Sequence, residues 1–163
     1  MYRLLAIFSL ICFFSCKQFY TAPDFNVSTP NGWVRTDTVS KLRGHKLVRL
    51  NHHVGNVIDE NITILGVRSF NIDTYIKAFL LELRKQALVL KQESEGESEI
   101  DNIKSKWIKV SIQYKVSPTL LDQKIYFIPY KGFVYYIGCT TAKDSLEQMQ
   151  PKINEVLASF KIL

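Results

Sequence analysis

Cysteine is scarce in this 163-residue chain: there are three, Cys12, Cys16 and Cys139. If cleavage before Cys16 removes Cys12 and lipid caps Cys16, only Cys139 remains as a thiol, and one thiol cannot form an internal disulfide. Seven glycines and five prolines are too few for a disordered or low-complexity chain. The longest apolar or small run, Leu4 to Phe14, is shorter than the roughly 20 residues that a spanning helix needs. HExxH, GxSxG, paired CxxC and phosphate-cradling glycine loops are all missing. So is any dense Lys/Arg block, and with it the usual mark of nucleic-acid binding. The only histidines are His45, His52 and His53. Neighbours in a strand point to opposite faces, so His52 and His53 do not readily grip one metal. A hairpin could bring His45 to one of them, but no Cys, Asp or Glu stands at companion spacing. The chain therefore reads as non-enzymatic, with no catalytic residues, no metal ligands and no cofactor.

What the chain does have begins at its start. Arg3 supplies a short basic segment, Leu4 to Phe14 an apolar core, and Ser15 a small residue directly before Cys16. That is the layout of a secretory signal peptide. A cysteine at the expected cut suggests the lipobox of bacterial lipoproteins, in which the thiol is acylated and becomes the new N-terminus. Phe13 and Phe14 stand where aliphatic and small residues are usual. Cys12 is a poorer candidate, because Ile11 before it is not small. The resulting division is a leader at 1–15, a lipidated Cys16 with its tether at 16–24, and one domain at 25–163. The expected address is the bacterial cell envelope, with the protein anchored to a membrane through Cys16 and facing the periplasm or the exterior. The alternative is secretion with cleavage near Ser15 and no acylation, the product acting as a carrier of a small ligand or cation.

The formal charge is +6, or +5 once Arg3 has left with the leader. An excess this small fits an ordinary surface as well as a preference for acidic partners or anionic headgroups. Apolar residues make up 47% of the chain, enough for a packed core. A domain of this size buries roughly 68% of its unfolded surface and needs no disulfide. Cys139 lies in the apolar run Val134 to Cys139 and reads as a buried, inert thiol.

The periodicity predicts strands and two helices. Phe25–Val27 and Trp33–Val34 flank the turn signal Pro30-Asn31-Gly32 and predict a short first hairpin. Lys46–Leu50 and Asn61–Phe70 read as further strands, the latter apolar on both faces and so covered on both sides at least in part. Asn71 is a candidate cap for a helix to about Gln86, whose stripe is Ile72, Tyr75, Ile76, Phe79, Leu80 and Leu83. Ala87–Leu90 opens a strand, and Glu93, Glu95, Glu97 and Glu99 alternate around Gly96 as an acidic hairpin tip, the pairs 93/95 and 97/99 each expected to share a sheet face. Its oxygens suit a hard cation, but no preorganised ligand loop accompanies them, and a solvated face is the reading preferred. Trp107–Val116 alternates cleanly, predicting one buried and one wet face. Lys124–Tyr130 and Phe133–Thr140 form a hairpin through Lys131-Gly132, crowded with Tyr126, Tyr130, Phe133, Tyr135 and Tyr136 as cross-strand packing or an exposed contact surface. A last helix starts near Asp144 or Ser145, with Pro151 expected to kink or restart it. Lys41, Arg43, Lys46 and Arg49 make a loose basic patch, suited to headgroups or to the wet side of a hairpin.

Two helices on an antiparallel sheet give an α+β fold. The element order, with Pro30-Asn31-Gly32-Trp33 near the start and Pro151 followed by Ser159-Phe160-Lys161 at the end, resembles the PsbP-like superfamily. Within it, the small bacterial lipoproteins similar to DcrB and PsbP are the nearest in pattern. The resemblance spans about Phe25 to Leu163 and rests on structural motifs. It implies a PsbP-like α/β/α sandwich with a curved antiparallel sheet, and a binding or assembly role with a protein partner rather than catalysis. Photosynthetic members help retain inorganic cofactors at a larger complex; no cofactor residues carry over to this chain.

Overall fold

Asn71 does cap a helix: its side-chain oxygen accepts from the Thr74 N–H at 2.9 Å, and helix α1 runs Ile72–Gln86. The computed structural model describes residues 22–39, 46–54 and 57–163. Around α1 the chain forms β1 (Phe25–Asn26), β2 (Val34–Val39), β3 (Lys46–Val54) and β4 (Val57–Arg68) before it. After it come β5 (Ala87–Ile100), β6 (Ile103–Tyr114), β7 (Leu120–Tyr130), β8 (Phe133–Ala142), α2 (Leu146–Ser159) and β9 (Lys161–Ile162). Among the described residues, β2 to β8 make one antiparallel sheet of seven strands in the order β2-β3-β4-β8-β7-β6-β5. The expected α+β sandwich is the fold observed.

Each helix covers one face. Ile108, Val110 and Ile112 of β6, with Ile125 and Phe127 of β7, point at α1 and bury Leu83. The alternate residues Tyr126 and Ile128 of β7, with Tyr135, Ile137 and Cys139 of β8, point at Met149, Ile153 and Val156 of α2. Central strands are thus apolar on both faces, the pattern of a sheet sandwiched between layers. The crowded aromatics of the β7–β8 hairpin are packing residues: Tyr126, Phe133 and Tyr135 are buried, and Tyr130 and Tyr136 half-buried. Lys131 and Gly132 both take positive φ, 46° and 79°, as a tight two-residue hairpin turn requires. α2 is a single helix that continues through Pro151 rather than restarting there.

Four local expectations are corrected. β1 does not form a hairpin with β2. It pairs with β9 at the far end of the sequence, Phe25 opposite Ile162, while β2 pairs with β3. The turn itself exists, with Trp33 N–H on Pro30 O at 3.1 Å and Gly32 at φ 80°. The acidic segment is not a hairpin tip: β5 runs straight past Gly96 and turns at Asp101 and Asn102, both at positive φ. Glu93 and Glu95 do not share a face, because a bulge between Gln92 and Ser94 sends them to opposite sides. Finally, the polar side of β6 is not wet, since Ser111 is only 4% exposed there.

Candidate functional site

That second face of β6 is where chemistry collects. Lys109 and Ser111 point the same way as Trp107, and Lys124 and Asp122 of β7 stand beside them in register. The N-terminal turns of α2 form a roof. Between roof and sheet lies a cleft of about 400 Å³, lined by Ser94, Trp107, Lys109, Lys124, Glu147 and Gln150. This is within the size range of small-molecule sites. Gly96 of β5 lies opposite Trp107, and a Cβ there would come within 2.7 Å of the indole, so the ring lies across a residue without a side chain.

Lys124 is the distinctive group. Its Nζ lies 4.8 Å from the Trp107 ring centroid and 5.5 Å from that of Tyr126. It reaches the Gln150 side-chain oxygen at 3.3 Å, and it has no carboxylate partner among the described residues. Burial, and the nearby Lys109 charge, hold its ammonium below the ordinary lysine range. A cation placed on aromatic faces and short of a counter-ion suits an incoming anionic group.

Behind it is a network that the sequence did not announce. Asp122 is 1% exposed. It accepts from Ser111 Oγ at 2.7 Å and from the Asp144 N–H at 2.9 Å, and pairs with Lys143 at 3.2 Å. Glu93 lies 2.8 Å from the same Ser111 oxygen, whose single proton serves one carboxylate at a time, and pairs with Lys109 at 3.1 Å and Lys143 at 3.5 Å. Burial pushes the Asp122 carboxyl upward, but the bonds from Ser111, Asp144 and Lys143 together outweigh it and hold the group below its usual value. Ser111 and Lys109 pull Glu93 down to about 2. The partners are 11 to 50 residues apart, so no local pattern marks them.

A pH prediction follows. Glu93 binds its proton more weakly folded than unfolded, so its contribution is complete above the unfolded value of about 4.3 and fades toward about 2. Urea unfolding should find Glu93→Gln less stable than the parent at pH 7, with the gap closing between those limits. A gap that stays constant down to pH 2 would contradict the role of this carboxylate.

The remaining sites expected from sequence fall apart spatially or lie elsewhere. Cys139 is fully buried on β8, and burial pushes its thiol up to about 12, so it is no nucleophile. His52 stacks on Trp33 at 5.8 Å between centroids, with Nδ1 3.4 Å from Glu60, while His53 is exposed beyond a register shift. Lys46 pairs with Asp24 and lies over Phe25, and Arg49 is exposed. Glu95 and Glu97 line a second cleft of about 440 Å³ on the α1 side with Asp73, Lys77 and Lys106. There Lys106 and Asp73 pair at 2.7 Å. No group of three potential metal ligands occurs among the described residues, and no helix there is long and apolar enough to cross a membrane. Cys12, Cys16, Lys41, Arg43 and His45 lie outside the described residues.

The order of strands, with one helix on each face and a short strand pair joining the two ends of the domain, defines a PsbP-like α/β/α sandwich. Comparison with solved structures gives the same result. The cyanobacterial PsbP (CyanoP) of Synechocystis sp. PCC 6803 matches 91% of this chain and 98% of its own length, at TM-score 0.55 and 13% identity. LpqN of Mycobacterium tuberculosis, involved in cell envelope biogenesis, matches over 86% and 84%, at TM-score 0.58 and 14% identity. A Pseudomonas aeruginosa protein of unknown function, PA94, matches over 83% and 94%, at TM-score 0.53 and 13% identity. Identities this low carry the fold alone. No protein-family model and no curated protein sequence matches the chain.

Proposed function

We propose that this chain is a non-enzymatic protein of the bacterial envelope, held at a membrane through acylated Cys16, whose domain serves as a binding or assembly subunit for a protein complex. The observation that carries this reading is the place of Cys16. It follows Ser15 and the apolar run directly, and only five residues separate it from Ala22, which is packed on the sheet beside Gly66. Six residue steps span at most roughly 20 Å, so acyl chains on Cys16 keep the domain close to the bilayer. At about 0.8 kcal/mol per buried methylene, two long chains make a stable anchor. The envelope role of LpqN favours a partner in the same compartment. The cleft favours binding over catalysis: Lys124 faces the amide of Gln150, which cannot relay a proton, and the Cys139 thiol is too weak an acid to react. Metabolic labelling with a fatty-acid analogue should mark the wild-type chain and not Cys16→Ala. Labelling that persists in the variant overturns the anchor.

A second reading, an unanchored carrier of a small ligand, draws on the same cleft. Lys124 and Lys109 favour an anion over a cation as its cargo. The mature mass separates the two readings, because acylation adds a large hydrophobic increment to a chain beginning at Cys16.

A further inference from the structure

We infer that the end of the sandwich where the chain enters is itself a membrane contact, in which Phe70 enters the headgroup layer of an anionic bilayer and Lys131 meets its phosphates. The inference rests on the proposed anchoring for proximity, and on separate observations for the surface. Phe70 is 82% exposed, although it belongs to the short link between β4 and α1. The link is held in place: Ser69 N–H donates to Gly132 O at 3.0 Å, and Asn71 caps α1. The Phe70 ring rests over Gly132, where a Cβ would come within 2.9 Å of it. Arg68 lies 5.4 Å from the centre of that ring, and Lys131 4.9 Å from the ring of Tyr130. A fixed, exposed aromatic flanked by cations over aromatic faces is the composition of a bilayer interface, where apolar rings and basic groups lie side by side.

Position decides the occupant. Gly66, against which Ala22 packs, lies two residues before Arg68 on β4, a step of roughly 7 Å. Tyr135, two residues into β8 from the turn side, donates its hydroxyl to Pro23 O at 2.6 Å. The chain leading from Cys16 therefore arrives on the end that carries Phe70. Of the acidic groups at this end, Asp24 pairs with Lys46, Asp101 with Lys161 and Asp73 with Lys106, and Glu97 and Glu99 stand opposite Lys106 and Lys104 in the β5–β6 register. Lys131 makes no ion pair among the described residues. An anionic lipid surface complements Lys131, and it stands within tether reach, whereas a protein partner has no such reason to meet this end.

The test uses the full chain as exported, reconstituted on vesicles of mixed phosphatidylcholine and phosphatidylglycerol carrying brominated acyl chains. Phe70→Trp supplies a fluorescent reporter at an exposed position, read as the difference from the parent with Trp33 and Trp107. The added emission should be lost on these vesicles, and should recover in part at high salt or with Lys131→Glu. Unquenched emission from vesicle-bound protein overturns the inference, including the case in which only added envelope proteins protect the reporter. Failure to associate with vesicles at all overturns it equally. Fatty-acid labelling of the same samples reports separately on Cys16. Labelled but unquenched protein removes this contact alone, and quenched but unlabelled protein removes the anchor alone.

Discussion

Replacing Asp122 with alanine is expected to destabilise the native protein by about 3 kcal/mol, the lower end of the range for removing one member of a buried ion pair. The carboxylate is 1% exposed and has three donors from two parts of the chain: Ser111 on β6, and Lys143 with the Asp144 N–H in the turn between β8 and α2. Removal takes the acceptor from the Asp144 amide and leaves Lys143 short of its buried partner, while the Ser111 hydroxyl keeps Glu93 at 2.8 Å; a polar group left unpaired costs about 1–3 kcal/mol. Lys143 moderates the loss, being one-third exposed and still paired with Glu93 and Asp144. Asp122→Asn keeps an acceptor for the Asp144 amide and should cost about half as much. Urea unfolding of the two variants at neutral pH measures both. A loss below about 1 kcal/mol for alanine would mean that Glu93 swings in to replace the missing carboxylate. The same network fixes Asp144 just ahead of α2, whose Ser145 makes no side-chain cap bond, so Asp122 sets where the helix begins from the sheet without capping its first turn.

That placing of a helix start by a distant acceptor shows where reading the sequence succeeds and where it stops. α1 was legible from end to end because its signals are local: the Asn71 cap, the Asp73 charge in the first turn and the three- and four-residue apolar steps all fall within 15 residues. The β7–β8 hairpin was legible for the same reason, through Lys131-Gly132. β9 was not. Two residues carry no periodicity, and its partner Phe25 lies 137 positions away, so the first hairpin was drawn to the wrong neighbour. Glu93 was misplaced because alternation cannot anticipate a bulge, and one inserted residue moves every side chain beyond it to the other face. The α2-side cleft failed differently. Lys109 and Ser111 alternate with valine and isoleucine as solvent-facing residues do, and only the roof supplied by α2 turns that face inward. The sole sequence hint was composition: a tryptophan at position 107 on the polar side of an otherwise clean alternation, opposite a glycine.

Phe160→Ala should be the most damaging single change in the α2-side core, at about 3–5 kcal/mol, the usual range for emptying a fully packed aromatic site. Phe160 has no exposed surface and lies 5.6 Å from the Phe25 ring and 5.8 Å from that of Tyr135. Phe25 and Tyr135 also meet edge to face at 6.0 Å, so the three rings close on one another. The loss should be uneven. Phe160 ends α2 and leads into β9, β9 pairs with β1, and Tyr135 holds the Pro23 carbonyl. Without the ring, the entry segment keeps the two-residue pairing of β1 with β9 and side-chain bonds from Tyr135, Lys46 and Arg35 to its carbonyls, while α1 keeps its own aromatic contacts through Phe79, Phe127 and Tyr136 on the other face. Hydrogen exchange should therefore accelerate at Phe25–Val27 and Lys161–Leu163 well before it does in α1. A uniform acceleration would mean that the two cores unfold as one unit and that the entry segment is no weaker than the rest. The uneven outcome would explain why an aromatic stands between the last helix and the last strand. It holds the first packed residues of the domain, Phe25 among them, against Tyr135 of the sheet.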